Sequence, residues 1–207
     1  MHIGASSGLG INENHTMAIL YKISNLLYRL SSLWTAIAIT LIYSFFIATV
    51  MPSQSADSAA YAGDWGAPDG HLFYTPDELY ASISTWGEAG RDDYISFRLG
   101  LDILWALAYT GFLVSWISCA LRYSFYDTDS RRLLNLWPLI TLFSDYAENA
   151  LGILLVTNYN TQLNFIAWLA ASTSAIKWVS LVLAHGILLY ALGHALRKKL
   201  RGAASGS

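Results

Sequence analysis

The chain reads as an all-α integral membrane protein, with four transmembrane helices and an extracytoplasmic loop between spans 1 and 2 that holds a short amphipathic helix. Three observations predict this. First, 55% of its 207 residues are hydrophobic and only 13% are charged, about half the ~25% usual in soluble domains. Second, four apolar stretches, about 33–51, 101–121, 136–156 and 165–190, each approach the ~20 residues needed to cross a ~30 Å hydrocarbon layer. Third, when four spans are drawn, Lys22, Arg29, Arg122, Arg131, Arg132, Arg197, Lys198, Lys199 and Arg201 fall on one side, and only Arg91 and Arg98 fall on the other. Bases accumulate on the cytoplasmic side. Both termini are therefore expected in the cytoplasm, which in a bacterium means the inner membrane with the loop in the periplasm.

Composition also narrows the function classes. A net charge of -2 argues against nucleic acid, which needs a basic face. The lone cysteine, Cys119, excludes a disulfide framework and is read as a small packing residue.

Residues 1–16 are rich in Gly, Ser and Asn and are expected to be disordered, as is the tail, 202–207. The membrane domain then runs from 17 to 201, with Met17 a second candidate start. Asn14-His15-Thr16 matches a glycosylation acceptor but falls on the cytoplasmic side. From Ala18 to Leu30 the residues Ile19, Ile23, Leu26, Leu27 and Leu30 recur at helical spacing, which predicts an interfacial helix running into span 1. The apolar run from Leu33 to Met51 is long for a cleavable signal, so it is expected to stay.

The outer loop, 52–97, holds eight acids and only Arg91 as a base. Its acids are read as solvated, since Asp64 and Asp69 lack EF-hand spacing. Thr75-Pro76-Asp77-Glu78 supplies a capping residue, a proline at the first helical position and a Glu three residues after the cap. Leu79, Ile83 and Trp86 then form one stripe, and Gly87 and Gly90 are expected to end the helix. The helix should lie on the outer surface or cover the bundle mouth, with Tyr74, Tyr80, Trp86 and Tyr94 at headgroup level. In span 2, Gly111, Ser115 and Cys119 form a small-residue strip that lets another helix approach. Asp129 or Ser130 can cap span 3, whose Pro138 falls in the first turn. Span 4 is long enough to emerge as an amphipathic end.

Span 3 carries the candidate site. Asp145, Glu148 and Asn149 sit at i, i+3 and i+4 and share a helix face, extended by Thr141 and Gly152. Counted from the span ends they lie near the midplane, level with Lys177 of span 4. An isolated charge at that depth costs at least ~2.5–3.5 kcal/mol, so the groups are expected to meet inside the bundle. Lys177 can balance one carboxylate. Two carboxylates one turn apart should not both stay ionised, so one is expected to hold or pass a proton. His185 lies two turns inward of Lys177, either on a proton path or bonded within the bundle. Asp102, with Arg98, Trp105 and Tyr109 on its face, is either an interfacial ion pair or the outer mouth.

No cofactor is implied, and no metal: Asp145-x2-Glu148 has neither di-iron nor zincin spacing. The leading expectation is a site of Asp145, Glu148, Asn149 and Lys177, with His185 and Asp102 beside it, that binds or moves a small polar or cationic ligand or protons. Such a protein would work in the lipid bilayer as a homo-oligomer or within a larger membrane complex. The rivals are an accessory subunit packed by its small-residue strip, and a membrane enzyme acting on a lipid by acid–base chemistry.

Overall fold

A computed structural model describes residues 7–204, with side chains from residue 15 onward. Every regular element among them is helical. The chain order is α1 (Ser7–Leu30), α2 (Leu33–Phe45), a π-helical turn (Phe46–Val50), α3 (Met51–Ala62), two 3₁₀ turns (Gly63–Trp65 and Pro68–Gly70), α4 (Pro76–Thr85), α5 (Gly87–Leu99), α6 (Leu101–Ser124), a 3₁₀ segment (Ser130–Leu136), α7 (Trp137–Thr157) and α8 (Asn164–Ala204). Four helical stretches, 33–65, 87–124, 130–157 and 164–204, are long and apolar enough to cross a membrane. Each contains a predicted span, but the first and fourth run on past its end and the second begins well before its start, because the helices continue beyond the apolar stretch.

Helix α1 starts at Ser7, so residues 7–16, expected to be disordered, are helical. Residues 202–204 likewise continue α8. The rest of those two segments, 1–6 and 205–207, lies outside the described residues. Helix α1 does not run into span 1: it breaks at Ser31, and the Ser32 hydroxyl caps α2 by accepting from Thr35 N at 3.1 Å. Its predicted apolar face, Ile19, Ile23, Leu26 and Leu30, stays exposed, while Ser24 and Tyr28 are buried against the rest of the chain.

The rod does not end at Pro52. A proline ring crowds the carbonyl four residues back and removes a donor, and a π-turn widens the helix there at Phe46–Val50. Helix α3 therefore continues to Ala62, where Gly63 at φ 60° turns the chain. The segment expected to be mainly loop is thus a cap of three helices.

Helix α4 has its predicted start. Thr75 Oγ1 accepts from Glu78 N, and Glu78 Oε2 accepts from Thr75 N at 2.8 Å. These bonds hold the Glu78 carboxyl below its ordinary range. Gly87, at φ 66°, makes the bend into α5. Gly90 ends nothing: it lies inside α5, where a side chain would strike Tyr61.

Two apolar clusters organise the bundle. In one, Leu79, Ile83 and Trp86 of α4 pack with Tyr74 and Tyr94 against Leu155, Val156, Ala167, Ala170 and Ala171 at the α7–α8 hairpin. Tyr74, Tyr80, Trp86 and Tyr94 are buried within the chain, because the cap folds down onto the hairpin and uses their area for its own core. The second cluster joins Tyr28, Ala106, Leu113, Ile117, Leu121, Ala184, Leu188 and Ala191 nearer the basic end. The small-residue strip of α6 is used inside the chain, with Gly111 facing Ile39 of α2 and Trp116 Nε1 donating to Thr40 Oγ1 at 2.9 Å.

Candidate functional site

Helices α6 and α7 run antiparallel, and their rungs are polar. The Asn149 amide donates to Asp102 Oδ2 at 2.6 Å. Toward the basic end, the Tyr109 hydroxyl donates to Asp145 Oδ2 at 2.9 Å. Toward the cap, the Tyr94 hydroxyl lies against Gly152, in space a methyl group would fill. Small residues on α8, Ala170, Ser174 and Ala184, are buried and bring that helix close enough for Lys177 to reach in. Its ammonium is 2.6 Å from Glu148 Oε2 and 3.8 Å from Asp145 Oδ1.

The cap adds two groups. Arg98, at the end of α5, pairs with Asp102 Oδ2 at 2.8 Å and with Asp69 of the loop. The Asp69 carbonyl accepts from Lys177 Nζ and from Trp178 Nε1, both at 3.1 Å, and Ser174 donates to the His71 carbonyl at 2.6 Å. Loop 69–71 is thereby sewn onto α8. Burial alone would raise the Asp69 carboxyl, but the charges of Arg98 and Lys177 outweigh it and hold the group below the usual carboxylate range. A depressed carboxyl contributes stability that is present above about pH 4 and is lost as pH falls through its folded value.

Five of the six predicted residues therefore form one network: Asp102, Asp145, Glu148, Asn149 and Lys177, all buried. Asp102 belongs to the main cluster through Asn149 and is not a separate interfacial pair. His185 is not bonded into this network: its Nδ1 donates to the Leu181 carbonyl at 2.8 Å.

A cavity of about 270 Å³ opens beside the network. Asp69, Asp102, Asp145 and Lys177 line one end, and Tyr43, Phe112, Leu113, Leu181 and His185 line the other, with Trp105, Tyr109 and Trp178 between them. Its volume is near the lower limit of small-molecule pockets, about 300 Å³. Glu148 and Asn149 stand behind the lining. Arg98 Nε, Glu148 Oε1 and Asn149 Oδ1 are buried and make no hydrogen bond within the described residues.

The charges do not balance. Four carboxyls, Asp69, Asp102, Asp145 and Glu148, share two cations, Arg98 and Lys177. Protons or a cationic guest can supply the difference. Among the described residues no group of three His, Cys, Asp or Glu side chains is placed to hold a metal ion.

Sequence reasoning missed Asp69 and Trp178. Asp69 looks like any loop acid between Pro68 and Gly70, and nothing local marks it as the partner of a helix more than a hundred residues away. No protein-family model, curated protein or solved structure matches the chain.

Proposed function

We propose that this is a polytopic inner-membrane protein whose cavity binds a small cationic or polar ligand and exchanges protons with it. The reading rests on one observation: Asp102, Asp145 and Lys177 meet at one end of a 270 Å³ cavity with more carboxyls around them than cations. Asp145 is the titrating group that faces the ligand. Lys177 is the counter-ion that keeps Glu148 and Asp145 tolerable in a water-poor site. Asn149 holds Asp102 in position. The basic excess puts the α1 and α8 termini in the cytoplasm and the α3–α5 cap outside. Four helices are few for a translocation path, so a homo-oligomer is part of the proposal.

Equilibrium dialysis of labelled tetramethylammonium against the full chain in nanodiscs tests this. Asp145→Asn should weaken binding at least tenfold, and Lys177→Met should change its pH dependence. Unchanged binding in Asp145→Asn, Glu148→Gln and Lys177→Met proteins that keep their helical circular dichroism would end the reading.

A further inference from the structure

The cavity has a direction. Its charged end and its apolar end are separated along α6 from Asp102 to Leu113 and along α8 from Lys177 to His185, about 12–16 Å at ~1.5 Å per helical residue. Such a site solvates a cation at one end only. The other end is mainly apolar, with Phe112, Leu113 and Leu181, and its polar groups, Tyr43 and His185, are neutral rather than anionic.

The surface around the cavity is apolar. On the first rod the exposed side chains before Met51, which lines the cavity, are mainly apolar, with Trp34 80%, Leu41 68% and Phe45 57% exposed. On α8 apolar side chains stay exposed on both sides of Lys177, at Phe165, Trp168, Leu169 and Ile176 and at Val179, Val182 and Leu183. The cavity, charged end included, therefore lies within the apolar belt, where a ligand with an apolar chain concentrates.

The walls suggest the way in. Helix α2 packs along α6, and α8 packs along both α6 and α7, but α2 and α8 have no extensive contact. The cavity lies between them. A second, apolar groove of about 500 Å³, formed by Leu72, Val179, Val182 and Leu183, adjoins it across Gly70 and Trp178.

Resting on the proposed cation site, we infer that its ligand is an amphiphilic amine or quaternary ammonium compound, taken laterally from the membrane between α2 and α8. The ammonium sits against Asp102 and Asp145 under Trp105 and Tyr109, which favour a cation over their rings. The chain lies over Phe112, Leu113 and Leu181.

The experiment is a calorimetric series on the full chain in nanodiscs, using alkyltrimethylammonium ions from methyl to hexyl and the corresponding neutral alcohols. Affinity should rise roughly two- to fourfold per methylene, then level off as the apolar end fills, and the alcohols should not bind. A hexyl probe with a diazirine at its chain end should label α2 near Tyr43 or α8 near Leu181. Leu181→Trp should abolish the gain with chain length. If no ion of the series binds, the proposed function fails and the inference with it. If tetramethylammonium binds as well as its longer homologues, or the diazirine labels loop 66–71 instead, the cation site stands and the amphiphile inference is overturned. The labelling uses the unaltered chain, so the test survives a Leu181→Trp protein that does not fold.

Discussion

The two ends of the molecule bury polar groups in different ways. Toward the basic end, Asn135 is fully buried and neutral. It accepts from Ser24 Oγ at 2.8 Å and donates to Ser24 O and Ser118 Oγ at 3.2 Å. One amide thus ties α1, α6 and the turn before α7 together with its donors and acceptor satisfied. Most charges at that end stay near solvent, and the buried one, Arg132, pairs with Asp127, whose side chain is 93% exposed. Arg131 pairs with Asp129 at 2.5 Å with its side chain 49% exposed, and Lys198 donates to the Tyr123 carbonyl at 2.7 Å. At the cap end, Arg98, Asp102, Asp145, Glu148 and Lys177 are all buried ions or potential ions, with polar atoms left over. A neutral amide is enough to set helix register, as the basic end demonstrates. The cap end uses ions where register alone would not require them, and the surplus of carboxyls over cations is the strongest physical reason to read it as a working site.

Substitutions can break that comparison. The largest effect is expected from Arg98→Met. It leaves buried Asp102 and half-buried Asp69 without their shared cation, which should cost about 3–5 kcal/mol in reversible unfolding in mild detergent. Arg131→Gln, its exposed counterpart, should leave unfolding unchanged within error. Equal losses in the two would mean the cap-end network is no more closely built than a surface pair.

Asn135→Ala comes next, at roughly 2 kcal/mol, since three hydrogen bonds are lost and Ser24 and Ser118 are left with buried unpaired groups. The measurement that sharpens the contrast is ligand binding. Asn135→Ala should lower stability and leave the cation affinity of the remaining folded protein untouched. A parallel drop in affinity would couple the two ends and weaken the case for a separate site.

Gly152→Ala is expected to have an effect of similar size. The added methyl group meets the Tyr94 hydroxyl, and overpacking of this kind costs about 1–3 kcal/mol. Tyr94→Phe in the same protein removes the colliding oxygen, so a double-mutant cycle should recover much of the loss. No recovery would show that α5 and α7 are held apart by something other than this contact.

Much of the architecture is legible along the chain because it follows from short-range rules. Apolar length sets the four long helices. Thr75 and Pro138 mark helix starts, since the first turn has orphan backbone donors that a cap can meet and a proline does not need. The three-four spacing of Asp145, Glu148 and Asn149 puts them on one face whatever surrounds them. Where sequence reading went astray, a local irregularity or a neighbour distant in the chain decided the outcome. Pro52 does not stop the first rod, because a π-turn absorbs its ring. The cap aromatics are core residues, because the α7–α8 hairpin offers them a partner.

By itself, then, the sequence determined the helical class, the number of long apolar helices, the bias of charge to one end and the face of α7 that carries the carboxyls. These are properties of periodicity and composition, fixed within a few turns. Only the tertiary structure decided that Asp69 arrives on Lys177 from 108 positions away, that Asp102 joins the same network through Asn149, that Gly111 receives α2 from within the chain, and that a cavity is left between α2 and α8. Loops and cavities have no period. They are set by which long-range contacts bury enough area to offset the entropy of closing the chain, and one stretch of sequence read alone holds no record of that competition.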